Sequence, residues 1–267
     1  DVYKRQTRDR GLRLRRGVRR GCMRCSAWGR FAAGFAMAIV ILVARPEAAT
    51  SEGYRHLSLE GRFVKWPQSA PHVPVHLTFA LATRASVDEQ AINCRRVGPV
   101  DDLLERSGLG VEDFQLALDF ALRRWEAAAN LVFVRTDDED AADILIGSQI
   151  DPDGIAFANL TLSETRVGPH QLIERSRLCL NPFRRWKIGF DGNLDVFDLV
   201  YTLTHEIGHA VGLDHAPGRD HVMSLRYHET RSRLSAGDVL GVRRLYGRPS
   251  GDGPRRWAVS ARLGVAR

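Results

Sequence analysis

The chain has 267 residues, 44% of them hydrophobic and 27% charged, and a formal net charge of +7 that is concentrated at its two ends. Residues 1–30 hold eleven Lys or Arg against two Asp, and residues 248–267 hold five Arg against one Asp, so the stretch 31–247 is net acidic. A basic pI therefore says little about the folded part, and no nucleic-acid partner is expected.

The chain opens on Asp1, and residues 1–22 read as an extension upstream of the natural start. From Met23 the layout is that of an export signal, expected over 23–50. Arg24 and Arg30 supply positive charge, residues 31–44 form an apolar run, and Ala48, Ala49 and Thr50 offer a cleavage site. Those fourteen apolar residues fall short of the roughly 20 that a membrane-spanning helix needs, so secretion, extracellular or periplasmic, is expected with no stable membrane anchor. Cys22 and Cys25 lie in or before this leader, with no second pair to complete a metal knuckle. Cys94 and Cys179 are then the two cysteines of the exported chain. In an oxidising compartment they are candidates for a disulfide, if the fold brings their Cα atoms within bridging distance.

Residues 51–61 read as a short linker, 62–247 as one domain able to bury its own core, and the Arg-, Gly- and Pro-rich 248–267 as a disordered tail. A monomer is expected. Lys65, Trp66 and Pro67 lead into a first strand over 75–81. Val111, Phe114, Leu118, Ala121, Leu122 and Trp125 recur at helical spacing, which predicts an amphipathic helix over 111–129 with Trp125 in the core. Two β-rich segments, 131–135 and 143–147, flank Asp137, Asp138, Glu139 and Asp140, read as a solvated turn in preference to a calcium site.

The most informative run is His205-Glu206-Ile207-Gly208-His209-Ala210-Val211-Gly212-Leu213-Asp214-His215. On a helix over 198–212, capped by Asp195 or Asp198, the spacing of four sets His205 and His209 one turn apart on one face. Leu199, Leu203 and Ile207 then face the core. Gly212 lets the backbone leave the helix in a left-handed conformation, and the chain can return His215 as a third nitrogen ligand. Glu206, beside the first ligand, can take the proton of a zinc-activated water. Zinc hydrolase chemistry is the expectation.

This run resembles the zinc signature of the metzincin endopeptidases, and the segment C-terminal to it carries the second half of that signature. Met223 resembles the Met-turn under the zinc, and residues 234–239 with 244–247 resemble the closing helix of the matrixin branch. Trp125 and the strands at 131–134 and 142–146 come in matching order. The resemblance covers roughly 62–247. It implies an α+β fold of α/β zincin type: a twisted, mostly parallel mixed sheet with an edge strand over the zinc cleft, a long active-site helix, the Met-turn and a C-terminal helix. It also implies that Ile155, Ala156, Phe157 and Ala158 lie on the edge strand that binds substrate, with the next strand at 176–183. Tyr227 walls the pocket after the scissile bond, Met223 and Gly212 support the site, and Asp238 ties the Met-turn to the last helix. A calcium ion near Asp151, Asp153 and Gly154 is a second cofactor that the resemblance allows.

The sequence departs from the family pattern in several places. Leu225 stands where proline is usual, Ala216 replaces a serine or threonine, and His170 alone stands where a second zinc would need a cluster. His170 is therefore read as a surface-loop residue, and His56, His72, His76, His221 and His228, which lack ligand spacing, as surface residues. No cysteine in 50–70 matches the family's latch. The resulting expectation is a secreted zinc metalloendopeptidase acting on extended peptides or proteins, with Glu206 as general base. The alternatives are a non-catalytic zinc-containing binding module, which the intact Glu206 disfavours, and a zinc hydrolase of non-peptide amides or esters.

Overall fold

The computed structural model describes residues 53–250, so the expected extension, signal, Cys22, Cys25 and most of the tail lie outside the described residues. Three short strands come first: β1 (Arg55–His56), β2 (Ser58–Leu59) and β3 (Arg62–Lys65). Next are β4 (Val75–Leu81), the small pair β5 (Ser86–Val87) and β6 (Arg96–Gly98), α1 (Asp101–Ser107) and α2 (Val111–Ala128). The centre is built from β7 (Leu131–Arg135), β8 (Ile144–Gln149), β9 (Ala156–Val167) and β10 (His170–Leu180). Last come β11 (Arg185–Lys187), β12 (Val196–Asp198), α3 (Leu199–Ala210), β13 (Leu213–Asp214) and α4 (Ala236–Tyr246).

The main sheet runs β7, β4, β8, β10 in parallel, and β3 adds alongside the first residues of β10, also in parallel. β9 pairs antiparallel with β10 and, among the described residues, with no other strand. This is the α+β, mostly parallel arrangement expected. Every residue of β8 is buried, as a central parallel strand covered on both faces requires. On one face lie α2 and α3: Phe114, Ala117, Leu118, Ala121, Leu122 and Trp125 recur at helical spacing and are all buried. The Trp125 indole donates to the Thr204 carbonyl at 2.8 Å, fixing α2 against α3. The other face carries a smaller cluster of Ala80, Ala82, Cys94, Val97, Ala142, Leu145 and Cys179, with Phe157 against it. Cys94 and Cys179 form a disulfide there, their Cα atoms 5.6 Å apart. No helix among the described residues is long and apolar enough to cross a membrane.

Several details differ from the sequence-based expectations. β9 and β10 form one long hairpin joined by Gly168 and Pro169, so His170 opens a strand and contacts the Phe63 ring instead of sitting in a loop. The acidic turn is only partly solvated: Glu139 is buried and accepts from the Thr83 amide, while Asp138 accepts from the amides of Asp140 and Ala141. His56, His221 and His228 are half-buried, because His56 meets the Gly241 carbonyl, His221 meets Ser235 and His228 meets the His221 carbonyl. His72 and His76 are exposed.

Candidate metal centre

α3 starts where Asp198 accepts the Tyr201 amide at 2.6 Å; Asp195 takes no part in the cap. Leu199, Leu203 and Ile207 are fully buried, which anchors the helix and turns His205 and His209 to the adjoining face. The helix ends at Ala210 with Val211 as its C-cap, and Gly212 comes next at φ +95, where a Cβ would come within 2.5 Å of the Val64 carbonyl oxygen. Glycine is thus required there twice, for its backbone conformation and for the close approach of β3. β13 pairs with β1 immediately afterwards, and His215 comes back over the helix.

The three imidazoles converge. Ring centroids are 4.7 Å apart for His205 and His209, 4.7 Å for His209 and His215, and 5.2 Å for His205 and His215. Their ligand atoms lie within 4.8 Å of one another, and among the described residues no other three such side chains do so. Asp151 is instead paired with Arg96 at 3.1 Å, and Asp153 accepts the Gly154 amide.

The tautomers are set by the neighbours. His205 Nδ1 lies 2.7 Å from the Val222 carbonyl oxygen and His209 Nδ1 lies 2.8 Å from that of Leu213. A carbonyl can only accept, so both Nδ1 atoms carry the hydrogen. Burial, reinforced by the neighbouring histidines, pushes all three imidazoles down to about 3, so each ring is neutral near pH 7. The Nε2 atoms of His205 and His209 then face each other at 3.1 Å with lone pairs only. Two acceptors cannot hydrogen-bond one another, and this donor set fits a cation that takes both, with zinc the ion suited to imidazole nitrogens.

Glu206 follows His205 on α3 with its carboxyl buried, which pushes it up to about 8. Among the described residues nothing donates a hydrogen bond to it. Met223 lies beneath, packed on Gly208 so tightly that a Cβ at Gly208 would be 2.3 Å from the methionine Sδ and 2.8 Å from Trp125 Cζ2. Gly208 is not among the residues that the sequence pattern singles out, although a glycine inside a helix signals a close approach. Fully buried Asp238 accepts from the amides of Val222, Met223 and Ser235 at 3.0, 3.4 and 2.8 Å. A chain of contacts thus runs from α4 through Asp238 to Val222, whose carbonyl holds His205.

Ile155 precedes β9 instead of lying on it, its carbonyl accepting the Asn181 amide, and the register makes Phe157 and Asn159 hydrogen-bond β10 as well. The main-chain groups of Ala156, Ala158 and Leu160 are therefore directed to the opposite edge. The Phe157 side chain packs on the disulfide face, away from the histidines. Tyr227 packs edge-on against Tyr201 at 5.2 Å, its hydroxyl accepting the Asp198 amide and donating to Glu229. Leu225 is exposed.

A family model described as Matrixin matches residues 103–247. The chain belongs to the matrixin family. It is 31% identical to Metalloendoproteinase 4-MMP of Arabidopsis thaliana over 147 residues, which cover 52% of this chain and 42% of that protein. It is also 34% identical to Metalloendoproteinase 1-MMP of Arabidopsis thaliana, over 51% of this chain and 38% of that one. With rat Stromelysin-2 the identity is 30% over 53% of this chain and 30% of the relative. The matched region thus spans less than half the length of these relatives.

Proposed function

We propose that this matrixin is a secreted zinc metalloendopeptidase in which His205, His209 and His215 hold the metal and Glu206 is the general base. The observation that carries the reading is the convergence of three neutral imidazoles, two with lone pairs facing at 3.1 Å, and a buried carboxyl on the residue that follows His205. A zinc ion held there supplies Lewis acidity, which acidifies water and polarises a carbonyl. Glu206 accepts the proton of the attacking water on a carboxylate oxygen and delivers it to the leaving amine nitrogen.

An extended peptide adds along β9 on the side away from β10, where main-chain hydrogen bonds position it, the role the resemblance gives to residues 155–158. Tyr227, held between Asp198 and Glu229, walls the pocket for the side chain after the scissile bond. Met223 and Gly212 support the metal site, and Asp238 holds the Met-turn to α4. Export is supported by the signal-like 23–50 and by the disulfide, which persists in an oxidising compartment.

Glu206→Gln is the decisive variant. It retains zinc while cleavage of a quenched peptide library falls on the order of 100- to 10,000-fold. Undiminished cleavage by a zinc-loaded Glu206→Gln protein overturns the mechanism.

A further inference from the structure

Across the sheet from the histidines, the segment between β4 and α1 is fastened over β9 and β10 at several points. Cys94 is bonded to Cys179. Buried Arg177 donates to the Cys94 and Arg95 carbonyls at 3.1 and 3.0 Å and to the Ser86 hydroxyl at 2.6 Å. The amides of Ile92 and Asn93 both donate to Asn159 Oδ1, at 3.1 and 3.4 Å. Residues 92–93 therefore lie directly on β9, the strand that ends this side of the sheet. Neighbouring strands are about 4.8 Å apart, so whatever stands over Asn159 is within one strand spacing of a peptide laid along the far edge of β9.

Ile92 is 53% exposed at that rim. Beside it opens a recess of about 220 Å³ lined by Ile92, Asn93, Arg95, Arg96 and Phe157, among others. Its arginines are already matched, Arg95 by Glu89 and Arg96 by Asp151, and Asp153 is engaged with the Gly154 amide. Ile92 and Phe157 remain as its apolar surface.

An extended peptide turns alternate side chains to opposite faces. One set points toward α3 and the histidines, and the other points to the face that carries residues 86–97. We propose that this recess is a substrate subsite that selects a bulky aliphatic residue, one whose side chain faces away from the histidines, by packing it on Ile92. The inference rests on the endopeptidase reading and adds to it a specificity residue from the disulfide-tethered loop. The loop's fastening makes the subsite rigid, so its selectivity is set before substrate arrives.

The test compares the full-length wild type with Ile92→Asp on a quenched peptide library. Ile92 is exposed, so the variant keeps the wild-type melting temperature. The expected result is a KM about 5- to 10-fold higher for peptides with Leu or Ile at one position, with kcat held, and loss of the preference for those residues over Ala there. A wild type with no aliphatic preference at any position of that face, or an Ile92→Asp profile identical to wild type, overturns the subsite and leaves the peptidase reading standing. A wild type that cleaves nothing overturns both.

Discussion

The two faces of the sheet are held by different means. On the helix face, large side chains interlock: Trp125 against Gly208 and Met223, and Asp238 gathering three amides, so that the positions of His205 and His209 are set by packing and hydrogen bonds. On the opposite face the cluster consists mostly of alanine, valine and cysteine, too little apolar surface to hold a long connection, and a covalent bond with an arginine clamp does that work. Precision at the site comes from burial. Retention of the loop comes from a cross-link, which leaves the loop's own sequence free to vary.

The strongest test of that division removes the disulfide. Its sequence separation of 85 residues gives a loss of about 4–5 kcal/mol in Cys94→Ser/Cys179→Ser by the loop-closure estimate. Denaturant unfolding reads that loss, and zinc stoichiometry of the protein that remains folded is expected to stay at one per chain. Loss of zinc from the folded double variant would break the comparison.

Asp238→Ala strikes the other face. Three amides lose their acceptor at a fully buried position, and stability falls by about 3 kcal/mol. Because Val222 holds His205, zinc affinity also drops, on the order of 10- to 100-fold in competition with a chelator. Unchanged affinity would show that the Met-turn does not orient the ligand.

The last test is on the metal-stripped protein. Burial holds the three imidazoles down to about 3, whereas in the unfolded chain they take up protons near 6.5. Stability is therefore full above about 6.5 and is lost as the pH falls toward 3, by on the order of 1–2 kcal/mol per imidazole at pH 5. Thermal melts in chelator at pH 7.5 and 5 measure this. A melting temperature independent of pH over that range contradicts neutral, buried ligands, while added zinc is expected to raise it at the higher pH.

What the sequence made legible was local. Periodicity located α2 and α3, and the spacing of four with a glycine three residues later predicted three histidines that meet in space. α1 went unread, since seven residues with adjacent Leu103 and Leu104 carry no helical period. The β9–β10 hairpin was longer than expected because its outer half is polar on both sides, so no alternation marks it, although Gly168 and Pro169 supplied the turn. Cysteine count named Cys94 and Cys179 as the candidate pair, and the fold supplied the closure across a separation of 85; the half-burial of His221 and His228 could not be read, because it depends on the fold of the chain after the Met-turn.

Glu229 joins parts that are far apart in sequence. Its carboxylate takes the Tyr227 hydroxyl at 2.7 Å, the amides of Asp191 and Gly192 at 3.0 and 2.6 Å, and the Lys187 ammonium at 2.6 Å. Tyr227 in turn holds the amide of Asp198, the residue that caps α3. Anyone exchanging the segment around Tyr227 to change preference is therefore exchanging a part with two sockets. A graft of 224–230 from a relative has to bring a matching 187–193 with it, or leave three donors facing a carboxylate that is no longer there.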